Sequence, residues 1–184
     1  MPDVVVSNWV HAHTHPVITH LMWLITQCHS LLGVSVMSLV SAALLYRRRD
    51  IAKLSLLLAC VPGIMLLNVV LKQVFQRARP TFDDPLLTLA SYAFPSGHTA
   101  AATVFYGFIV VLLLDRWRDR GKGWRIGVVA VAALMVCLVA ASRVYLGVHY
   151  LSDVLAAVVE GLLWLAFCVA LLRGAPARRD KEAA

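Results

Sequence analysis

The sequence predicts an all-α fold: a polytopic membrane bundle of about five transmembrane helices, preceded by an N-terminal interfacial segment. Three observations predict it. The 184 residues are 60% hydrophobic, only 15% are charged, and the mean hydropathy is +0.77. Several apolar runs approach or exceed the roughly 18 to 20 residues that span a bilayer. The basic residues sit in short connectors between those runs rather than on one amphipathic element, so the net charge of +7 reflects membrane topology. No nucleic-acid partner is expected.

One membrane-embedded domain accounts for residues 1–184, divided into an interfacial segment (1–28), a helical bundle (29–172) and a polar cytoplasmic tail (173–184). Met1 is followed by Pro2 and Asp3 instead of a basic stretch and an apolar run, so no cleavable signal peptide is expected. Cys28, Cys60, Cys137 and Cys168 lie scattered in apolar stretches without CxxC spacing, which favours small buried side chains over a zinc site or a disulfide framework.

Residues 4–28 mix Trp9, His11, His13, His15, Pro16, His20 and Trp23 with apolar residues, a composition suited to the headgroup region. The His-x-His-x-His run invites a metal reading. Alternate histidines on a helix point to different faces, however, and Pro16 interrupts the segment, so amphipathic filler is the preferred role.

The first span is expected at 31–46, or from near Leu21 with a break around 27–30, and it ends at Arg47, Arg48 and Arg49. The second covers 51–72, with Asn68 and Lys72 sharing its far end. A polar connector at 76–95 holds Arg77, Arg79, Pro80, Asp83 and Asp84, of which Arg77, Asp83 and Asp84 read as solvated loop charges. The third span, 96–114, opens with Ser96, Gly97 and His98. A basic connector at 115–125, flanked by Trp117 and Trp124 as interface anchors, leads to the fourth span, 126–141. The fifth runs over 149–172.

The turn at 47–53 carries four basic residues, the connector at 115–125 five and the tail four, so thirteen of the seventeen fall on one side. By the positive-inside rule that side is cytoplasmic. The other four, Lys72, Arg77, Arg79 and Arg143, lie on the opposite face with His98, His149 and Asp153. Something anionic is expected to bind there.

His149 and Asp153 are four residues apart. On a helix starting near His149 they would lie about 40° from each other at 100° per residue, so a carboxylate could hold one imidazole nitrogen and free the other. A structural pair at a helix end, with Arg143 marking the membrane surface, is the plain alternative. It loses ground because two further polar islands converge on the same face: Lys72 with Arg79 and Pro80, and Pro95 with Ser96, Gly97 and His98.

These three islands resemble the signatures of the type 2 phosphatidic acid phosphatase superfamily, Lys-x6-Arg-Pro, Pro-Ser-Gly-His and Ser-Arg-x5-His-x3-Asp. Lys72 to Pro80, Pro95 to His98 and Ser142 to Asp153 match every signature position and spacing. The resemblance implies a membrane lipid phosphatase acting on undecaprenyl diphosphate, phosphatidic acid or phosphatidylglycerol phosphate at the outer face of a bacterial-type inner membrane, with membrane lipids around it. It implies that His149, oriented by Asp153, attacks phosphorus to form a phosphohistidine. His98 would protonate the leaving oxygen and then activate water. Lys72, Arg79 and Arg143 would bind the phosphate, helped by the backbone N–H groups of Ser96 and Gly97 at a helix start. No metal or other cofactor is expected, because the side-chain cations can stabilise the transferring group.

Asn68, Ser142 and Glu160 are possible supporting residues, Glu160 because an intramembrane carboxylate is a functional candidate by default. Tyr145 and Tyr150 read as packing. Vanadium-dependent haloperoxidases share the same signatures but are soluble enzymes, which five spans argue against. An anion-binding transport protein is a third reading, for which the His149 and Asp153 pair would be superfluous. Beside six-span members, the chain is expected to lack a first transmembrane helix and to keep its N-terminus outside.

Overall fold

The structure is a computed structural model that describes residues 2–174. The polar tail expected beyond that point lies outside the described residues. Among them the chain forms seven helices: α1 (Pro2–Ala12), α2 (Pro16–Cys28), α3 (Leu31–Arg47), α4 (Ile51–Phe75), α5 (Gly97–Arg116), α6 (Lys122–Tyr145) and α7 (Leu151–Gly174).

Local chemistry sets the boundaries. Pro16 occupies the first turn of α2, where its missing N–H costs nothing, and the His15 ring nitrogen accepts from the Val17 N–H at 3.3 Å. Ser30 caps α3 through the Gly33 N–H, and Asp50 caps α4 through the Lys53 N–H. Helix α4 tolerates Pro62 and ends at Gln76 in the left-handed conformation, φ 43°.

Helices α4, α5, α6 and α7 are each long and apolar enough to cross a membrane, and α2 with α3 makes a fifth span bent by 48° at its break. Helix α2, which the sequence assigns to the interfacial segment 1–28, packs along α6, and its continuation into α3 starts just past His29. That histidine ties the break to α5, with Nδ1 2.8 Å from the Ile25 carbonyl and Nε2 2.7 Å from the Tyr106 hydroxyl.

Helix α5 lies at the centre, packed against α4, α6 and α7. Its inner face runs through Ala100, Ala101, Val104, Phe105 and Phe108, which meet Leu57, Cys60, Ile64, Ala157 and Leu165. Outside this core the molecule inverts the pattern of a soluble domain. Large apolar side chains such as Leu32 (74% exposed), Leu39, Leu66 and Leu163 face outward, whereas Arg143, His149 and Asp153 are buried. Such a surface suits hydrocarbon, and a buried charge inside it requires partners.

The connector after α4 and the turn before α7 meet at one end of the bundle. At the other end Lys53 bridges Asp50 and Asp115, 2.8 Å from each, and so joins the α3–α4 turn to the close of α5.

Candidate active site

The turn between α6 and α7 carries the histidine. Gly147 adopts φ +69°, which favours glycine, and a β-carbon there would stand 2.9 Å from the Phe82 ring. Helix α7 begins at Leu151, two residues later than the helical-face argument assumed. The nearness of His149 and Asp153 therefore comes from a cap. Asp153, third in the helix, reaches back to accept the Tyr150 N–H at 2.9 Å, and its Oδ2 stands 3.5 Å from His149 Nδ1. That separation is an ion-pair distance, and Nδ1 forms no hydrogen bond here.

The tautomer follows from the other nitrogen. Arg79 Nη1 lies 3.3 Å from His149 Nε2, and a guanidinium can only donate, so Nε2 is the acceptor and Nδ1 carries the proton toward Asp153. The Nε2 lone pair thus faces a cation.

The connector 76–96 folds back over this centre. Arg79 Nη1 also donates to the Val148 carbonyl at 2.5 Å, while its Nε and Nη2 hold Ser91 and the Tyr92 carbonyl. Burial pushes the Arg79 guanidinium down from its ordinary value, and the nearby Asp153 carboxylate opposes the shift. Lys72 Nζ donates to the carbonyls of Tyr92 at 2.6 Å and Ala93 at 3.4 Å. These backbone oxygens gather both cations over the centre.

Arg143 is 1% exposed and donates from Nη1 to Thr26 Oγ1 on α2. Its Nε and Nη2 are buried without partners, a costly arrangement unless an anion completes it. Arg143, Arg79, His98 and His149 lie within electrostatic reach of one another.

Ser96 is fully buried. Its N–H is spent on the Asp153 carbonyl at 3.2 Å and its hydroxyl accepts from Thr99, so the free amides expected at this helix start reduce to those from Gly97 onward. Gly97 lies against Asn68, where a β-carbon would come within 3.0 Å of Oδ1. Ser142 turns its hydroxyl to the Val139 carbonyl at 2.7 Å, within its own helix. Asn68 does not reach Lys72. It donates to Glu160 Oε2 at 3.2 Å and more weakly to the Pro95 carbonyl at 3.5 Å, while Glu160 Oε1 is buried and unpartnered.

A cleft of about 360 Å³ opens beside this set. Its lining combines Lys72, Asn68, Gly97 and His98 with the apolar side chains of Leu31, Ile64, Met65 and Val69.

Arg77 is no solvated loop charge: Nη1 donates to Asp153 Oδ1 at 2.6 Å and Nη2 to Asp3 Oδ2 at 2.8 Å, with the guanidinium 4.5 Å over the Tyr150 ring. Asp83 and Asp84 are exposed as expected. Asp3, Thr26 and Ser152 were not anticipated, and no local pattern announces them. The N-terminal histidines are engaged separately: His11 stacks on Phe82, His13 bonds to the Trp9 carbonyl and His15 caps α2.

Fold and centre together define a class: a polytopic helical membrane protein whose interior gathers two histidines, a buried carboxylate and three cations at one end of the bundle. The chain belongs to the PAP2 superfamily, whose family profile matches residues 52–175.

Phosphatidylglycerophosphatase B of Bacillus subtilis (strain 168) is 42% identical over 98 residues, 53% of this chain and 47% of that protein. A probable lipid phosphate phosphatase beta of Arabidopsis thaliana is 30% identical over 124 residues, covering 56% of this chain and 58% of that one. The chain thus spans about half the length of the curated relatives it matches. Among solved structures, a transmembrane PAP2 type phosphatidylglycerolphosphate phosphatase from Bacillus subtilis superposes with a TM-score of 0.85 at 29% identity, over 97% of this chain and 88% of that one. LpxE of Aquifex aeolicus gives a TM-score of 0.73 at 20% identity over 92% and 95%, a likeness of fold alone.

Proposed function

We infer that the protein is an integral membrane lipid phosphatase that hydrolyses a lipid phosphate or diphosphate through a phosphohistidine. One observation carries this reading. His149 presents an unprotonated Nε2 toward Arg79, with Asp153 behind Nδ1 and the unpartnered donors of Arg143 nearby. An anion drawn to those cations meets a nucleophile.

Nε2 attacks phosphorus, the bond from phosphorus to the lipid oxygen breaks, and His98 gives that oxygen its proton. His98, now neutral, takes a proton from water as the water oxygen attacks phosphorus. The P–N bond breaks, inorganic phosphate leaves and Nε2 regains its lone pair. The Asp153 carboxylate, 3.5 Å from Nδ1, stabilises the imidazolium-like ring. Lys72, Arg79 and Arg143 neutralise the phosphoryl oxygens, which is the charge-stabilising task a metal ion performs elsewhere.

The cleft supports a lipid substrate, because Lys72 would hold the headgroup while Leu31, Ile64, Met65 and Val69 in the same lining receive the first part of a chain. The names of the relatives favour phosphatidylglycerol phosphate or another lipid phosphate, with undecaprenyl diphosphate as the isoprenoid candidate. By the positive-inside rule the basic connectors favour a site on the extracytoplasmic face of the inner membrane and a cytoplasmic C-terminus.

The deciding experiment is phosphate release by purified protein from these three lipids. Turnover that is lost in His149→Ala and cut by orders of magnitude in Asp153→Asn is expected. Binding of the lipids without phosphate release would instead support a transport role.

A further inference from the structure

Behind the nucleophile runs a row of alternating charge: His149, Asp153, Arg77, Asp3. Asp153 has no exposed surface, and its Oδ2 faces Tyr150 and His149 while its Oδ1 receives Arg77 Nη1 at 2.6 Å. Arg77 is held in turn from two other sides. Its Nη2 donates to Asp3 at 2.8 Å, and the Tyr150 ring lies under its guanidinium.

Asp3 belongs to α1, yet it caps α7. Its Oδ1 accepts the Ser152 backbone N–H at 3.1 Å, and its Oδ2 accepts the Ser152 hydroxyl at 2.5 Å; that hydroxyl also accepts from Arg77 Nη1 at 2.7 Å. Burial pushes the Asp3 carboxyl up, but the Ser152 and Arg77 hydrogen bonds outweigh it and hold the group below its ordinary value.

A buried carboxylate with one oxygen unheld would turn toward another donor. That rotation would carry Oδ2 away from Nδ1 of His149, which it faces at 3.5 Å. Arg77 prevents it by occupying Oδ1 with a directional, charged donor. On its own Arg77 would be a long side chain on a connector, free to leave; Asp3 keeps it in place.

We propose that Arg77 and Asp3 are positioning residues for the hydrolysis, and that α1 delivers Asp3 to lock Asp153 in the orientation His149 requires. The proposal rests on the phosphohistidine reading above, since neither residue is placed on the phosphate.

The test uses the full chain in detergent and whichever of the three lipids the wild type hydrolyses best. Arg77→Met and Asp3→Asn should each lower kcat roughly 10- to 100-fold through misplacement of the nucleophile, with KM nearly unchanged. Arg77→Lys should recover part of the rate. Within an Asp153→Asn background the same changes should lower kcat no further than about threefold, because the group they position is already altered. An undiminished further loss in that background would overturn the proposal and leave the pair a structural role only. So would a raised KM at constant kcat, which would put Arg77 on the substrate.

If Arg77→Met does not purify as a folded protein, the isosteric Asp3→Asn series decides alone, and wild-type kcat in it overturns the proposal. Wild-type protein that releases phosphate from none of the lipids sinks the phosphatase reading itself, and the pair with it.

Discussion

At the residue scale, Arg143 makes the strongest demand for a ligand. It is a charge carried into the interior of a membrane bundle, with one hydrogen bond to Thr26 and two nitrogens left bare. A side chain so placed carries buried donors without partners and gains most when an anion binds. Replacing it with glutamine, which keeps a polar tip without the charge, should reduce kcat/KM by about 10²- to 10³-fold, the usual consequence of removing one donor to a developing oxyanion. Vanadate occupying the phosphate pocket should inhibit the wild type and lose potency in Arg143→Gln, measured by inhibitor titration of phosphate release. Activity that survives EDTA is expected in the same assay, and loss restored by magnesium or zinc would count against catalysis by side-chain cations alone.

The site was legible in the sequence where its logic is local. His149 and Asp153 are four residues apart, so almost any turn or helix start keeps them neighbours. Lys72 and Arg79, or Gly97 and His98, likewise stand beside their element ends. Arg77 was misread because nothing in the connector says that it folds back onto α7. Asp3 and Thr26 lie 149 and 117 residues from Ser152 and Arg143, their partners, and pairing at such range has no periodicity to betray it.

At the element scale, the position of His98 depends on how closely α5 approaches α7. A β-carbon on Gly161 would sit 2.8 Å from Thr103 Cβ and 3.2 Å from the Ala100 carbonyl oxygen, a backbone atom that cannot move without moving α5. Gly161→Ala should therefore destabilise the protein by about 1 to 3 kcal/mol and depress activity, as overpacking does. The check is apparent melting temperature in detergent beside phosphate release. Gly127→Ala is the control, since open space surrounds that position and alanine is the better helix former. A Gly161→Ala protein as stable and active as the wild type would show that the two helices have slack. The α2–α3 break was visible as a polar interruption at 27–30, whereas the packing of α2 on α6 was not, because Trp23, His20 and Gln27 gave it an interfacial composition.

For the whole molecule, alternation of the spans puts the connector 76–96 and the His149 turn at one end, and the 47–53 turn and the 117–121 connector at the other. Thirteen basic residues assigned to the second end predict its side. In a functional cysteine-free background, Asp84→Cys should react with a membrane-impermeant thiol reagent added to intact spheroplasts. Asp119→Cys should react only after the membrane is opened, because a charged reagent does not cross hydrocarbon. Both positions are exposed, so access is set by the bilayer and not by the fold. Labelling in the opposite sense would turn the site toward the cytoplasm.

The contact between Asp3 and Ser152 spans 149 residues and closes the molecule on itself. A ribosome delivers α1 first and α7 last, so Asp3 can meet Arg77 midway through synthesis but waits for the last helix to meet Ser152 and, through Arg77, Asp153. A chain arrested before α7 holds Lys72, Arg79 and Arg143 without Asp153, the buried carboxylate among them, and the charge row closes only when the last helix is in place.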